Sequence, residues 1–241
     1  MTGSRTVVAL ILLVTCSRAF GQWQPADPEE LTKAMAANQE HYRALGDFSL
    51  RYELIHYQDQ GSPQPFERHA MRIDRKGSRY RAEQLGILTL QDENMRVSVD
   101  SAGAIVMIAA PAKLEAEQTD HWRKNILPLA RSIGKRTTGT GMRYRVMLPI
   151  STGFEAVEIQ FDRDNWIQEL VVLYDRSPQH DHLFTPELLR PKVITRFNKP
   201  EAISGRDVIV MDPGTIVDVT TLQPVLRPKW RSYQLIDTRY R

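Results

Sequence analysis

An α+β chain that is mostly β, an antiparallel sheet served by one long helix and a second helical stretch, follows from three observations on this 241-residue sequence. A helical periodicity near the start gives way at Phe48 to strict alternation of large apolar and polar side chains. Strand, turn and strand then succeed one another through connections so short that only antiparallel neighbours can use them, because a parallel return needs about a dozen residues or more. A second helical stretch at 114–133 interrupts the alternation, which resumes afterwards.

The elements are justified in chain order. Residues 1–21 carry Arg5, an apolar run from Val7 to Val14, and small residues at Ala19 and Gly21, the order of a secretory signal peptide. The run is too short for a hydrocarbon layer of roughly 30 Å, which takes about 20 residues. The expectation is an exported, periplasmic protein that starts near Gln22. Cys16, the sole cysteine, leaves with the signal, so no thiol or disulfide chemistry follows. A competing reading takes Leu13-Val14-Thr15-Cys16 as a lipoprotein signal, with Cys16 becoming a lipid-modified anchor. Losing Arg5 and Arg18 takes the formal charge from +3 to +1, so a net electrostatic footprint for nucleic acid is missing. No second apolar run approaches transmembrane length. The expectation for 22–241, about 220 residues, is a single sheet-rich domain.

Asp27-Pro28-Glu29-Glu30 is a helix start: a capping acceptor, proline at the first position and acids in the positive first turn. Leu31, Met35, Tyr42 and Leu45 recur near helical spacing and Gly46 closes the segment, which predicts a helix over 27–45. Phe48, Leu50, Tyr52 and Leu54 then alternate with Ser49, Arg51 and Glu53, one face wet and one buried. Strands are expected at 66–74, 78–84, 86–91, 95–99 and 104–109, separated by turns such as Arg75-Lys76-Gly77 and Asp92-Glu93-Asn94. Pro128 breaks or kinks the helical stretch. Strands resume at 142–148, 154–161 and 166–174, then less regularly at 193–197, 208–211, 216–219 and 232–237.

This order of elements resembles the periplasmic outer-membrane lipoprotein carriers, the LolA/LolB-like group. The resemblance is densest from Asp27 to Ala109. There the helix leads through Leu45-Gly46-Asp47-Phe48 into the first strand; Arg75-Lys76-Gly77-Ser78-Arg79-Tyr80-Arg81 is similar to the family's basic turn and aromatic strand start. Leu90-Gln91-Asp92-Glu93-Asn94-Met95 is similar to its strand and acidic turn. The resemblance implies a curved sheet left as an incomplete barrel, closed by the N-terminal helix and the second helical segment, around an apolar cavity for acyl chains. Residues from about 198 to 241 form an irregular extension outside that pattern.

Other chemistry is poorly supported. His180-Asp181-His182 lacks a third ligand at a metal-binding spacing. Ser132-Ile133-Gly134-Lys135 matches a serine-x-x-lysine pattern, but the companion motifs of that acyl-transfer chemistry are missing. Gly139-Thr140-Gly141 does not lead from a strand into a helix with a placed lysine, and Asp162/Asp164 read as hairpin-turn residues. No catalytic, metal or cofactor residue is assigned, and no nucleophile, base and orienter converge.

The expected function is therefore non-enzymatic: a periplasmic carrier of lipid or lipoprotein acyl chains, working with an envelope donor or acceptor protein. Phe48, Leu50, Tyr52 and Leu54 would form one wall, and Leu88, Leu90, Met95, Val97 and Met107 the facing strands. Arg75 would sit at the rim, holding a polar head or the closing helix through charge-assisted hydrogen bonds. Methionines at 35, 71, 95 and 107 suit an irregular apolar lining. The alternative is a cell-envelope interaction or sensor module of the same fold, its interior filled by its own side chains.

Overall fold

The computed structural model describes residues 22–112, 122–175, 189–203, 211–220 and 223–239. The class is the expected one: mostly β, with a large curved antiparallel sheet not closed into a barrel, and few helices. In chain order the strands begin with β1 (Gln24–Pro25), β2 (Phe48–Tyr57), β3 (Glu67–Lys76), β4 (Arg79–Gln84) and β5 (Ile87–Gln91). Next come β6 (Arg96–Asp100), β7 (Ile105–Ala109), β8 (Ser132–Thr137), β9 (Gly141–Met147), β10 (Phe154–Asp162) and β11 (Ile167–Tyr174). The series ends with β12 (Lys192–Phe197), β13 (Glu201–Ala202), β14 (Val217–Asp218), β15 (Val225–Leu226) and β16 (Gln234–Asp237). One long helix, α1 (Pro28–Leu45), lies between β1 and β2. Two compact units share these elements, and their segments interleave along the chain.

The first unit takes residues up to Asn38, Tyr57–Gln64 and Thr119–Ile194. α1 starts as its sequence dictates: Asp27 Oδ1 accepts the Glu29 amide at 2.9 Å, and Glu29 and Glu30 occupy the first turn. Leu31 and Met35 pack on Ile133, Tyr144, Val146, Val157, Ile159 and Phe161, the apolar face of the antiparallel set β8, β9 and β10. Asn38 is buried and useful, because its Oδ1 accepts the Ile167 amide of β11 at 3.1 Å. On the other pleat Arg143 and Arg145 both bond the buried Glu158, and Arg143 also reaches Glu169 at 2.6 Å. The Trp23 ring carries the guanidinium groups of Arg136 and Arg145 at 4.6 and 4.7 Å, which holds the short β1 on β8.

The second helical stretch is shorter than expected. Residues 113–121 lie outside the described residues; Trp122–Ile126 forms one wide helical turn and Leu127–Leu129 one tight turn. Pro128 has no amide to continue a helix, and from Ser132 the chain is strand β8, with Ile133 buried and Ser132 exposed. Ile133 is the one apolar residue of Ser132–Thr137, so β8 carries no period-2 alternation that would set it apart from a helix end.

The second unit takes Gln39–His56, Pro65–Gln118 and Thr195–Arg241. Gly46, at φ +64°, ends α1 and donates its amide to the last helical carbonyls of Tyr42 and Arg43, after which β2 begins. β2 to β7 form an antiparallel meander in chain order, and β13 pairs with β2. β16 departs from the antiparallel expectation, pairing with β7 in parallel. Its long excursion from β7 removes the constraint that short hairpins impose. A separate hairpin, β14 with β15, brings Ile216, Val217 and Leu226 onto Leu90, Met95, Val97, Val99, Val106 and Ile108, with Trp230, Tyr233 and Leu235 packed around them. Of the expected strand at 208–211 only Met211 is described, buried and outside any strand.

Candidate functional site

The meander sets the geometry of the expected site. Register partners point to the same face of a sheet. From β2 to β7 each register pairs an even-numbered residue with an odd-numbered one, so the face that holds Phe48, Leu50, Tyr52 and Leu54 continues through fixed positions. These are His69, Met71, Ile73 and Arg75 on β3, Tyr80, Ala82 and Gln84 on β4, Ile87, Thr89 and Gln91 on β5, Arg96, Ser98 and Asp100 on β6, and Ile105, Met107 and Ala109 on β7.

Five of the nine expected lining residues, Phe48, Leu50, Tyr52, Leu54 and Met107, therefore share one face. Leu88, Leu90, Met95 and Val97 do not: they belong to the opposite pleat, where Leu90, Met95 and Val97 are buried under the β14–β15 hairpin and Leu88 packs at its edge. Met35 is likewise committed to the core of the first unit. Met71, expected as a lining methionine, lies on the face, and residues that sequence reasoning left out of it, Ile73, Ala82 and Ile87, were legible from the parity of the hairpins. A two-residue turn such as Leu85-Gly86 carries an even position of β4 to an odd one of β5.

The face is graded in exposure. Phe48, Leu50, Met71 and Ala82 are buried, Tyr52, Leu54 and Ile73 are half-buried, and Ile87 and Met107 are exposed at 41% and 40%. Tyr42 in the last turns of α1 meets Phe48 with ring centroids 5.2 Å apart, and burial pushes its phenol up to about 12. Tyr52 stacks on Phe197 at 5.6 Å and accepts the Gln84 side-chain amide at 2.5 Å; burial raises its phenol and that bond partly offsets the rise. Tyr80 is also pushed up to about 12, first by burial, then by nearby Tyr52, against a smaller opposing pull from Arg96. All three phenols stay neutral donors across the physiological range. Thr89 and Ser98 bond each other at 3.1 Å in the middle of the face, and Gln91, buried at 4% exposure, bonds both backbone groups of Ala112 at 2.9 Å.

Arg75 lies on this same face between Phe48 and Tyr80, at the end of β3 beside the Gly77 turn. It is half-buried, and its Nε donates to the Gly77 carbonyl at 3.4 Å. Asp47 reinforces the turn by accepting the Gly77 amide at 2.8 Å.

The remaining motifs fall apart geometrically. Ser132 and Lys135 stand on one strand three residues apart, so they point to opposite faces, and Lys135 bonds Glu30 at 2.5 Å. Gly139-Thr140-Gly141 is the β8–β9 turn, tied by Thr138 to Gly141. Asp162 accepts the Asp164 and Trp166 amides, a turn role. His180-Asp181-His182 lies outside the described residues. Among the described residues no three His, Cys, Asp or Glu side chains converge on one point, and no helix is long and apolar enough to cross a membrane.

No protein-family model matches this chain, and no curated protein matches its sequence. Among the solved structures that are similar in part are two of envelope or unassigned families. One is a provisionally named outer membrane lipoprotein-sorting protein domain from Vibrio parahaemolyticus, with TM-score 0.29 and 8% identity over 73% of this chain and 94% of that one. The other is a DUF1329 family protein from Desulfovibrio piger, with TM-score 0.29 and 9% identity over 76% of this chain and 96% of that one.

Proposed function

We propose that this protein is a non-enzymatic carrier of lipid or lipoprotein acyl chains in the periplasm, holding them on the Phe48–Leu50–Tyr52–Leu54 face of its meander. The observation that carries the reading is a division of apolar surface among the described residues: on β5 to β7 one apolar pleat is covered by the chain's own β14–β15 hairpin, while the Phe48–Leu50–Tyr52–Leu54 face leaves apolar side chains partly exposed. The other face grades from buried Leu50 and Met71 through half-buried Tyr52, Leu54 and Ile73 to exposed Ile87 and Met107. Such a gradient suits a flexible apolar guest. Each buried methylene contributes about 0.8 kcal/mol without any directional contact, so a sequence needs no distinctive motif to bind it. Met71 and Met107 are adaptable walls for a chain of variable shape. Arg75, on the same face and at its turn end, supplies a cation for the polar head. Residues 1–21 are read as the export signal that delivers the protein to the envelope.

Organic extraction of the purified protein followed by mass spectrometry tests the reading. Fatty acids or phospholipids released at near-stoichiometric amounts are the expected result. A protein that carries none and takes up no fluorescent fatty acid overturns it in favour of the interaction module.

A further inference from the structure

The opposite pleat of β2 and β3 carries a different chemistry. Arg51 and Arg72 are direct register partners, two like charges facing each other across adjacent strands. That arrangement is destabilising by itself. Arg72 is held in place by Asp74, whose Oδ1 accepts its Nε–H at 2.9 Å. Asp74 is completely buried, and its Oδ2 has no hydrogen-bond partner.

The other acids of this pleat form their ion pairs elsewhere. Glu53 bonds Arg68 at 3.3 Å; Glu83, which faces Arg72 in register across β4, bonds Arg81; and Glu201, opposite Ser49 on β13, forms no ion pair with either arginine. Arg51 is exposed and Arg72 half-exposed, and Ser49 stands beside them as the register partner of Asp74. Directly opposed side chains start about 5 Å apart at Cβ, a spacing from which two planar guanidinium groups converge on one tetrahedral oxyanion with bidentate bonds. Anchoring Arg72 on Asp74 lowers the ordering cost of that convergence.

We propose that Arg51 and Arg72 form a clamp for a phosphate-type oxyanion, whether the headgroup of a phospholipid or free phosphate. The clamp lies on the pleat opposite the acyl-chain face and stands independently of the carrier reading. An anion there cancels the like-charge repulsion and gives Arg72 its second set of partners.

Calorimetric titration with inorganic phosphate, and co-sedimentation with vesicles of phosphatidylglycerol or phosphatidylcholine, test it on the whole protein. Expected are saturable binding of phosphate, phosphatidylglycerol vesicles or both, at least tenfold weaker in Arg51→Met and in Arg72→Met, and unchanged in Arg79→Met, an exposed arginine at the end of β4. Binding of phosphatidylglycerol vesicles without inorganic phosphate identifies the lipid headgroup as the source; binding of inorganic phosphate without vesicles identifies the free ion. In the absence of anion Arg51→Met is expected to unfold at the same or a higher urea concentration than the wild type, because repulsion is removed. No binding of either probe, or equal weakening in Arg79→Met, overturns the clamp.

Discussion

Leu85 occupies a position that its side chain disfavours, and replacing it by asparagine is expected to stabilise the protein. The β4–β5 hairpin closes between Gln84 and Ile87, leaving Leu85 and Gly86 as a two-residue turn with φ of +50° and +79°. Positive φ at both central positions is the primed turn that matches strand twist, and it favours Asn-Gly. For a leucine the left-handed region costs about 1–2 kcal/mol, whereas asparagine visits it readily. Leu85 is 57% exposed, so little packing is lost on its removal. The net expected gain of Leu85→Asn is about 1 kcal/mol, which at this chain length corresponds to roughly 2–4 °C in Tm. Urea unfolding followed by tryptophan fluorescence measures it, with Gly86→Ala as the opposite control: a Cβ at φ +79° is strained, and that variant is expected to lose stability. A loss of stability in Leu85→Asn would show that Leu85 is held by apolar contacts worth more than the backbone strain, and the turn argument would be refuted.

Three further outcomes follow from burial and charge. Leu50→Glu places a carboxylate without a partner at a site 6% exposed and is expected to cost more than about 3 kcal/mol, while Arg51→Glu on the opposite pleat leaves thermal stability within about 1 kcal/mol; equal melts for both would contradict the register. Leu226→Ala is expected to cost about 2–4 kcal/mol in urea unfolding, since Leu226 seals the core over Val97 and Ile108, and a loss below about 0.5 kcal/mol would make the β14–β15 hairpin a surface appendage. Acid sensitivity concerns Asp59 and Glu155. The amides of Gly61 and Arg190 lower Asp59; burial alone would raise Glu155, but bonds from Gln60 and Arg190 outweigh it and hold it low. Carboxyls lowered in the folded state contribute stability above their unfolded values near about 4, and lose it as pH falls through the folded values. Arg190→Met removes the side-chain bond to Glu155 and keeps the backbone amides that hold Asp59, so Tm is expected to drop more steeply between about pH 5 and pH 3 in the wild type than in Arg190→Met, and parallel curves would exclude the Arg190–Glu155 bond as a source of acid sensitivity.

The fold was legible where local chemistry is strong. Asp27 and Gly46 mark the ends of α1, and the alternation from Phe48 to Leu54 marks β2. The candidate face was legible only in part, because alternation tells which residues share a face within one strand and says nothing about which faces match across a turn. Leu88, Leu90 and Val97 look interchangeable with Leu50 in composition, and only the register separates them. Ile133 was hidden for another reason. A short apolar run after a proline fits a helix end as well as a strand start, and its core neighbours Tyr144 and Val146 lie on a different strand. The covering role of the β14–β15 hairpin had no local signature, since two-residue strands carry too little pattern to read.

The placement of β16 and of the β14–β15 hairpin constrains the order in which this protein is made. Val97, Val99, Val106 and Ile108 are translated long before Ile216, Val217, Leu226 and Leu235, the residues that cover them. A ribosome extends the chain at about 5–20 residues per second, so the apolar pleat of β5 to β7 stays uncovered for several seconds while more than a hundred residues are added. During that interval the growing chain has neither the parallel partner of β7 nor the roof of its core. Synthesis itself thus delays folding, and the nascent chain remains available to chaperones and to any translocation machinery that accepts only unfolded polypeptide.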